Sequence, residues 1–234
     1  MKRTKEEFKT SFRHRTFGSS SKSEDYAFID ALDKPVALWT NVLLEEGIHR
    51  NSLVHRENVI EQYVMDLPDF KDKGAWAAKY ANRLKNISEQ NENLNKVKKI
   101  LAKLKLQDSK NQYTIAIYEQ VSALVEYNFE LLKKIEAFDL AITADEEIKI
   151  LLQLQELIQK FGSFRQEFEK VYSQTRILNK PENYILDQDH HNHPANQSVN
   201  FDWQFISEIL FLEKVNTHFK TKIAWQEGTN TVLK

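Results

Sequence analysis

From Trp76 onward, apolar residues recur at intervals of three and four: Trp76, Tyr80, Leu84, Ile87, Leu94, Val97, Leu101 and Leu104, with Asn91 in the same series. That spacing draws one stripe along the face of an amphipathic α-helix. Beyond Gln107-Asp108-Ser109 a second series runs Ile117, Val121, Leu124, Asn128, Leu131, Ile135 and Phe138. Thr143-Ala144-Asp145-Glu146 has the form of a capping box. It opens a third series of Leu151, Leu154, Ile158, Phe161, Phe168 and Tyr172. Each series predicts a helix of about 30 residues, roughly 45 Å long at the α-helical rise. The second helix also carries Tyr118, Val125, Phe129 and Leu132 on another face, which makes it the sandwiched, central one.

A tight turn near Ser109 sets the first two long helices antiparallel, so facing residues carry numbers that sum to 218 or 219. Leu84/Ile135, Ile87/Leu131, Leu94/Leu124 and Leu101/Ile117 are then apolar pairs. Two heptad series would match again after a slip of seven, but Asn91 and Asn128 would not. An Asn pair in an apolar seam costs stability and specifies register. The pattern therefore predicts these two amides in one layer, with Ile158 of the third helix nearby.

The flanking elements are shorter. A helix is expected from about Glu24 to Leu32, another from Pro35 to a stop at Gly47, and a third from Ser52 to Asp66, ended by Pro68. Residues 1–23 read as a basic, mobile segment, with a short helix ahead of the polar break at Ser19-Ser20-Ser21. The longest irregular stretch is Glu182 to Asn200. A last helix then gathers Phe201, Trp203, Phe205, Ile206, Ile209, Leu210, Phe211, Leu212, Val215 and Phe219. So much apolar circumference must be buried on the bundle or face a partner. The expectation is an all-α fold: an elongated antiparallel helical bundle of three long helices, with shorter N-terminal helices and an apolar C-terminal helix. Its segments are 1–23, a short-helix subdomain at 24–74, the long-helix bundle at 75–225 with the 182–200 loop, and a tail at 226–234.

Composition agrees with this picture. Five Gly and four Pro in 234 residues are far below the roughly 12% of ordinary usage, which leaves little room for hairpins or phosphate-cradling loops. Lys and Arg number 33 against 34 Asp and Glu, a net charge of −1, so no nucleic-acid partner is expected. The absence of Cys removes disulfides and thiolate chemistry. No apolar run is long enough to span a membrane. The opening MKRTKEEFKTSF has basic residues without an apolar stretch behind them, so it does not read as a signal peptide.

Candidate chemistry is concentrated in one loop, Asp187-Gln188-Asp189-His190-His191-Asn192-His193-Pro194. Asp187, Asp189, His190, His191 and His193 are ligand-type side chains for a metal or a substrate. The bland alternative is that they satisfy backbone groups of an irregular loop. HEXXH is absent and the adjacent His190 and His191 tend to point apart, so no metal and no cofactor is assigned. A second polar spot, His49, Arg50 and His55, reads more simply as solvated surface beside a helix capped by Asn51 or Ser52. Asp202 and Glu208 lie in the apolar last helix. They are too far round the helix to act as a pair, and each is expected to meet an arginine such as Arg13, Arg15 or Arg176. No helical stripe carries the inward Glu and Glu-x-x-His of a di-metal bundle, and no catalytic residue is assigned.

Two stretches bear a family likeness. Phe164-Arg165-Gln166-Glu167-Phe168-Glu169-Lys170-Val171-Tyr172, followed by Asn179-Lys180-Pro181, is one; Asp33-Lys34-Pro35-Val36-Ala37-Leu38-Trp39-Thr40 is the other. They resemble the helical region that follows the catalytic barrel in bacterial β-N-acetylhexosaminidases of glycoside hydrolase family 20. There a late helix carries an aromatic, usually Trp, ahead of an Asn-Lys/Arg-Pro turn; here the aromatic is Tyr172. The resemblance implies a non-catalytic accessory domain that supports or lines a carbohydrate site. Its partner would be a catalytic glycosidase domain or a carbohydrate, in a periplasmic or secreted protein. Trp39 would stack on a sugar ring, and His190 and His193 would meet its hydroxyls. The alternative is a stand-alone helical protein–protein interaction module.

Overall fold

The structure is a computed structural model, and it describes residues 4–18, 21–49, 57–106, 112–175 and 205–220. The protein is all-α. Among the described residues its helices are α1 (Lys5–Phe17), α2 (Ala27–Trp39), α3 (Glu57–Gln62), α4 (Ala75–Lys79), α5 (Ala81–Lys105), α6 (Gln112–Leu140), α7 (Ala144–Tyr172) and α8 (Ile206–Phe219), with a 3₁₀ turn at Ser23–Tyr26. The only β-type pairing among the described residues is the isolated antiparallel bridge Leu44↔Val64. The chain divides into two compact units, residues 1–39 with 85–129 and residues 40–84 with 130–234. This division cuts across the 24–74 and 75–225 segments expected from the sequence.

In the first unit the basic N-terminal stretch is a defined helix. Thr4 Oγ1 accepts from the Glu7 amide and Glu7 returns a bond to the Thr4 amide, a complete capping box. Phe17, at the end of α1, is buried and meets Phe28 edge-on at 5.8 Å; Phe28 in turn meets Tyr118 at 4.9 Å. Such edge-to-face contacts add to the area these rings bury. The carboxylate of Asp25 is 1% exposed and is held by the Lys22 amide at 2.6 Å and Lys103 Nζ at 3.1 Å.

Pro35 does not start a helix; it lies inside α2. The residues that α2 buries are Phe28, Leu32 and Pro35, spaced four and three apart, so the proline ring belongs to the apolar face. A mid-helix proline removes one backbone bond, and burial of that face outweighs the loss. The helix stops at Trp39, and Gly47, expected as a helix stop, instead takes a φ of 78° in a turn.

The seam of the first unit differs in detail from the reading at the sequence level. Ile117 and Val121 are half-buried, whereas Ser122 is buried. Its hydroxyl donates to the Tyr118 carbonyl at 2.7 Å, which lets a small polar residue go inside. Asn128 is fully buried and donates to the Leu124 carbonyl of its own helix at 3.0 Å; Asn91 is half-buried.

In the second unit, α7 begins with the foreseen capping box. Thr143 accepts from the Glu146 amide, and Glu146 accepts from the Thr143 and Ile142 amides. These backbone bonds, Thr143's first, hold the Glu146 carboxyl below its ordinary range. The buried face of α7 is Leu151, Leu154, Leu157, Ile158, Phe161, Phe168 and Val171. Helix α8 buries Phe211, Leu212, Val215 and Phe219 and packs on α3 and α7, so the dense last helix is a core element of this unit. Phe201 and Trp203 lie outside the described residues.

A foreign side chain caps α4. Gly74, at its N-cap, has a φ of 80° and no side chain to offer. The fully buried Asp139, from the end of α6, accepts from the Ala77 amide at 2.8 Å, while the Asp139 carbonyl accepts from the Gly74 amide at 3.1 Å. The left-handed backbone at Gly74 is open to glycine and strained for a residue with a Cβ.

Candidate functional site

A polar cluster of the second unit surrounds the Leu44↔Val64 bridge. Only two ladder bonds make the pairing: the Glu45 amide to the Tyr63 carbonyl at 2.8 Å and the Met65 amide to the Leu43 carbonyl at 2.9 Å. Cations saturate the carbonyls left over. Arg83, 8% exposed, donates through Nη1 to the carbonyls of Val42 and Leu44 and pairs through Nη2 with Glu46 at 3.1 Å. Lys214 of α8 donates to the carbonyls of Val64 and Met65 at 3.1 and 2.9 Å and to Asp66 at 3.3 Å. Buried backbone acceptors must be paired, and a two-bond ladder cannot do this itself.

Beside the bridge, Tyr80 donates its hydroxyl to Glu45 at 2.6 Å, and Lys79 pairs with both Glu45 and Asp66, at 3.2 and 3.0 Å. Burial and the bond to Glu45 push the Tyr80 phenol up to about 12. The Lys79 ammonium is raised by its neighbours Tyr80, Asp66 and Glu45. Burial alone would raise Glu45, but bonds from Tyr80, the Asp66 amide and Lys79 outweigh it and hold the carboxyl below its usual range. Asp66 is lowered by Lys79 and then by Lys214, against burial. Each group is thus locked in one protonation state near neutrality, whereas a general acid or base works best poised near the operating pH. The cluster acts as a polar staple.

His218 joins its edge. The ring stacks on Phe70 at 4.6 Å and donates Nε2–H to the Pro68 carbonyl at 2.8 Å. Burial lowers its pKa, as does Lys214, against the Pro68 bond and Asp69. Because the unfolded chain binds this proton more readily, stability is complete above about pH 6.5 and falls as pH drops through that value. Comparing urea midpoints of the native chain and His218→Gln at pH 7.5 and 5.5 tests this. The variant should lose less stability over that interval, and equal losses would refute the assignment. Glu45 and Asp66 are held below 4.5 and 3.8, so they lose their contribution only in more acid solution.

The residues singled out in the sequence are dispersed. Trp39 is half-buried at the end of α2, and His49 is exposed. Asp187, Asp189, His190, His191 and His193, like Arg50, His55, Asp202 and Arg176, lie outside the described residues. Glu208 is 1% exposed on α8. Tyr172 stacks on Phe168 at 5.1 Å, and Phe168 meets Phe205 edge-on at 5.5 Å, so the aromatics of the 164–172 stretch make an internal column. No group of three or more His, Asp or Glu suited to a metal occurs among the described residues. No helix there is long and apolar enough to cross a membrane.

Among the described residues of the second unit, four large apolar side chains stay exposed. Leu140 and Ile142, at the corner between α6 and α7, are 55% and 93% exposed, and Ile148 and Leu152 on α7 are 48% and 49% exposed. The last two lie one turn apart on the side of α7 away from its buried stripe. The signal was present in the sequence: Ile148 and Leu152 are apolar residues that fall outside the series Leu151, Leu154, Ile158 and Phe161. No family model, curated protein or solved structure matches the chain.

Proposed function

We propose that the protein is a non-catalytic helical interaction module that works through the ridge of Leu140, Ile142, Ile148 and Leu152. The observation that carries this reading is the exposure of four large apolar side chains in one short stretch of the second unit. Isolated exposed hydrophobics are normal, but several gathered close together along one corner and the first turns of one helix are the kind of set that marks a contact surface. The glycosidase-accessory reading rests on the 164–172, 179–181 and 33–40 stretches. Of its proposed sugar-contacting residues, Trp39 is half-buried at the end of α2 and the others lie outside the described residues; the exposed apolar side chains of the second unit are what favour the interaction reading.

A photo-crosslinking residue at position 148, expressed in the source cells, tests the proposal against the same residue at Lys99, which is exposed on α5. The expected result is an adduct of defined mass from position 148 alone, lost when Leu152→Asp is added. Equal adducts from both positions, or none, would count against the ridge.

A further inference from the structure

We infer that the ridge on α7 is occupied by α7 of a second copy of this chain, running antiparallel. This rests on the interaction-surface reading and names its occupant. A two-fold axis between Ile148 and Leu152 sets each of these residues opposite the other type in the second copy, whose facing numbers sum to 300. In such an isologous pair the same edge of each helix meets itself. The charges along that edge are therefore decisive.

One flank of the ridge carries Asp145, Lys149, Glu156 and Lys160, spaced four, seven and four apart and all exposed. Read antiparallel against itself, the row is complementary: Asp145 falls opposite Lys160 of the second copy, and Lys149 opposite its Glu156. Both pairs recur by symmetry, which gives four opposite-charge contacts and no like pair. A parallel arrangement would set Lys149 against Lys149 and Glu156 against Glu156.

These flank pairs sum to 305, a few above the apolar pairs, because helical side chains lean toward their own N-terminus. Antiparallel flank pairs in the first unit likewise share one sum. Lys98 bonds Glu126 at 2.7 Å and Lys105 bonds Glu119 at 2.9 Å, both pairs summing to 224, against 218 or 219 for the apolar seam read from the sequence. On α7, none of the four flank residues has an ion-pair partner among the described residues. Yet Glu156 and Lys160 stand four apart in the order that favours pairing within a helix.

A single helix against its copy is a small interface, so association should be weak, with a Kd on the order of 10 μM. Sedimentation equilibrium of the full chain across that range should show the mass rising from 27.6 kDa toward twice that value. Lys149→Glu and Glu156→Lys each place like charges in contact twice, and each should weaken the dimer about tenfold. The double swap, Lys149→Glu with Glu156→Lys, should restore it. These substitutions are on the surface, so melting curves should barely change.

A monomer at every concentration would overturn the inference, as would a double swap no stronger than the single variants. If the purified chain stays monomeric while position 148 still yields a specific adduct of another mass in cells, self-pairing falls and the interaction surface stands. If neither appears, both readings fall.

Discussion

Phe138→Ala is expected to destabilise the protein by about 4 kcal/mol, the range for removing a fully buried phenylalanine. The ring is 0% exposed and is held on several sides within the second unit. Phe219 of α8 meets it edge-on at 4.9 Å, Phe70 meets it at 6.0 Å, and Lys73 Nζ lies 4.2 Å above its face while donating to the Phe138 carbonyl. Truncation removes the apolar burial, two aromatic pairs and the ring under the ammonium. Phe138→Leu, which keeps most of the volume, should cost about 1.5 kcal/mol. Urea unfolding of both variants measures this, and a loss below about 1 kcal/mol for the alanine variant would refute the packing role given to the ring.

The second large effect is expected at Arg83. Arg83→Met keeps the length of the side chain but leaves the carbonyls of Val42 and Leu44 without their donor. At about 1–3 kcal/mol for each buried acceptor left unpaired, the cost should be near 3 kcal/mol. The lost pair with Glu46 adds little, because that carboxylate is 60% exposed. Hydrogen exchange offers a sharper test than stability alone. The amides of Glu45 and Met65 make the two ladder bonds, and their protection should collapse in Arg83→Met but persist in Lys85→Met, a change at an exposed position. Unchanged protection would show that the bridge holds without its cationic clamp.

Both predictions depend on contacts between residues far apart in the chain, and they show where pattern reading stops. The hydrophobic series located α6, α7 and the run of α5, because a buried stripe repeats every three to four residues whatever it packs against; the expected single helix from Trp76 is instead broken at Tyr80 into α4 and α5. The capping box at Thr143 was legible because it is local, complete within four residues. Burial at Leu151, Leu154, Ile158 and Phe161 followed from the same periodicity. The candidate surface was half legible: Ile148 and Leu152 break the stripe they adjoin, but only the structure shows that they stay exposed among the described residues.

The bridge and its clamps were not legible. Leu44 and Val64 lie in stretches with helix-like spacing, and nothing local says that they pair or that Arg83 and Lys214 take their carbonyls. Asp139 caps a helix that begins 65 residues earlier, at Gly74, and no N-cap pattern reaches across such a distance. Pro35 misled for a related reason. Its local meaning is a helix start, and the burial of Phe28, Leu32 and Pro35 on one face overrides it.

The sequence by itself therefore determined the helical class of the protein and the places where its three longest helices run. Those features depend on periodicity, turn composition and caps, all of them short-range. The tertiary structure alone decided how buried backbone groups between the helices are satisfied, where a proline may remain inside a helix, and which apolar residues stay uncovered. Each of these depends on groups separated by tens of residues, whose meeting is set by the free energy of the whole packing and by no local preference.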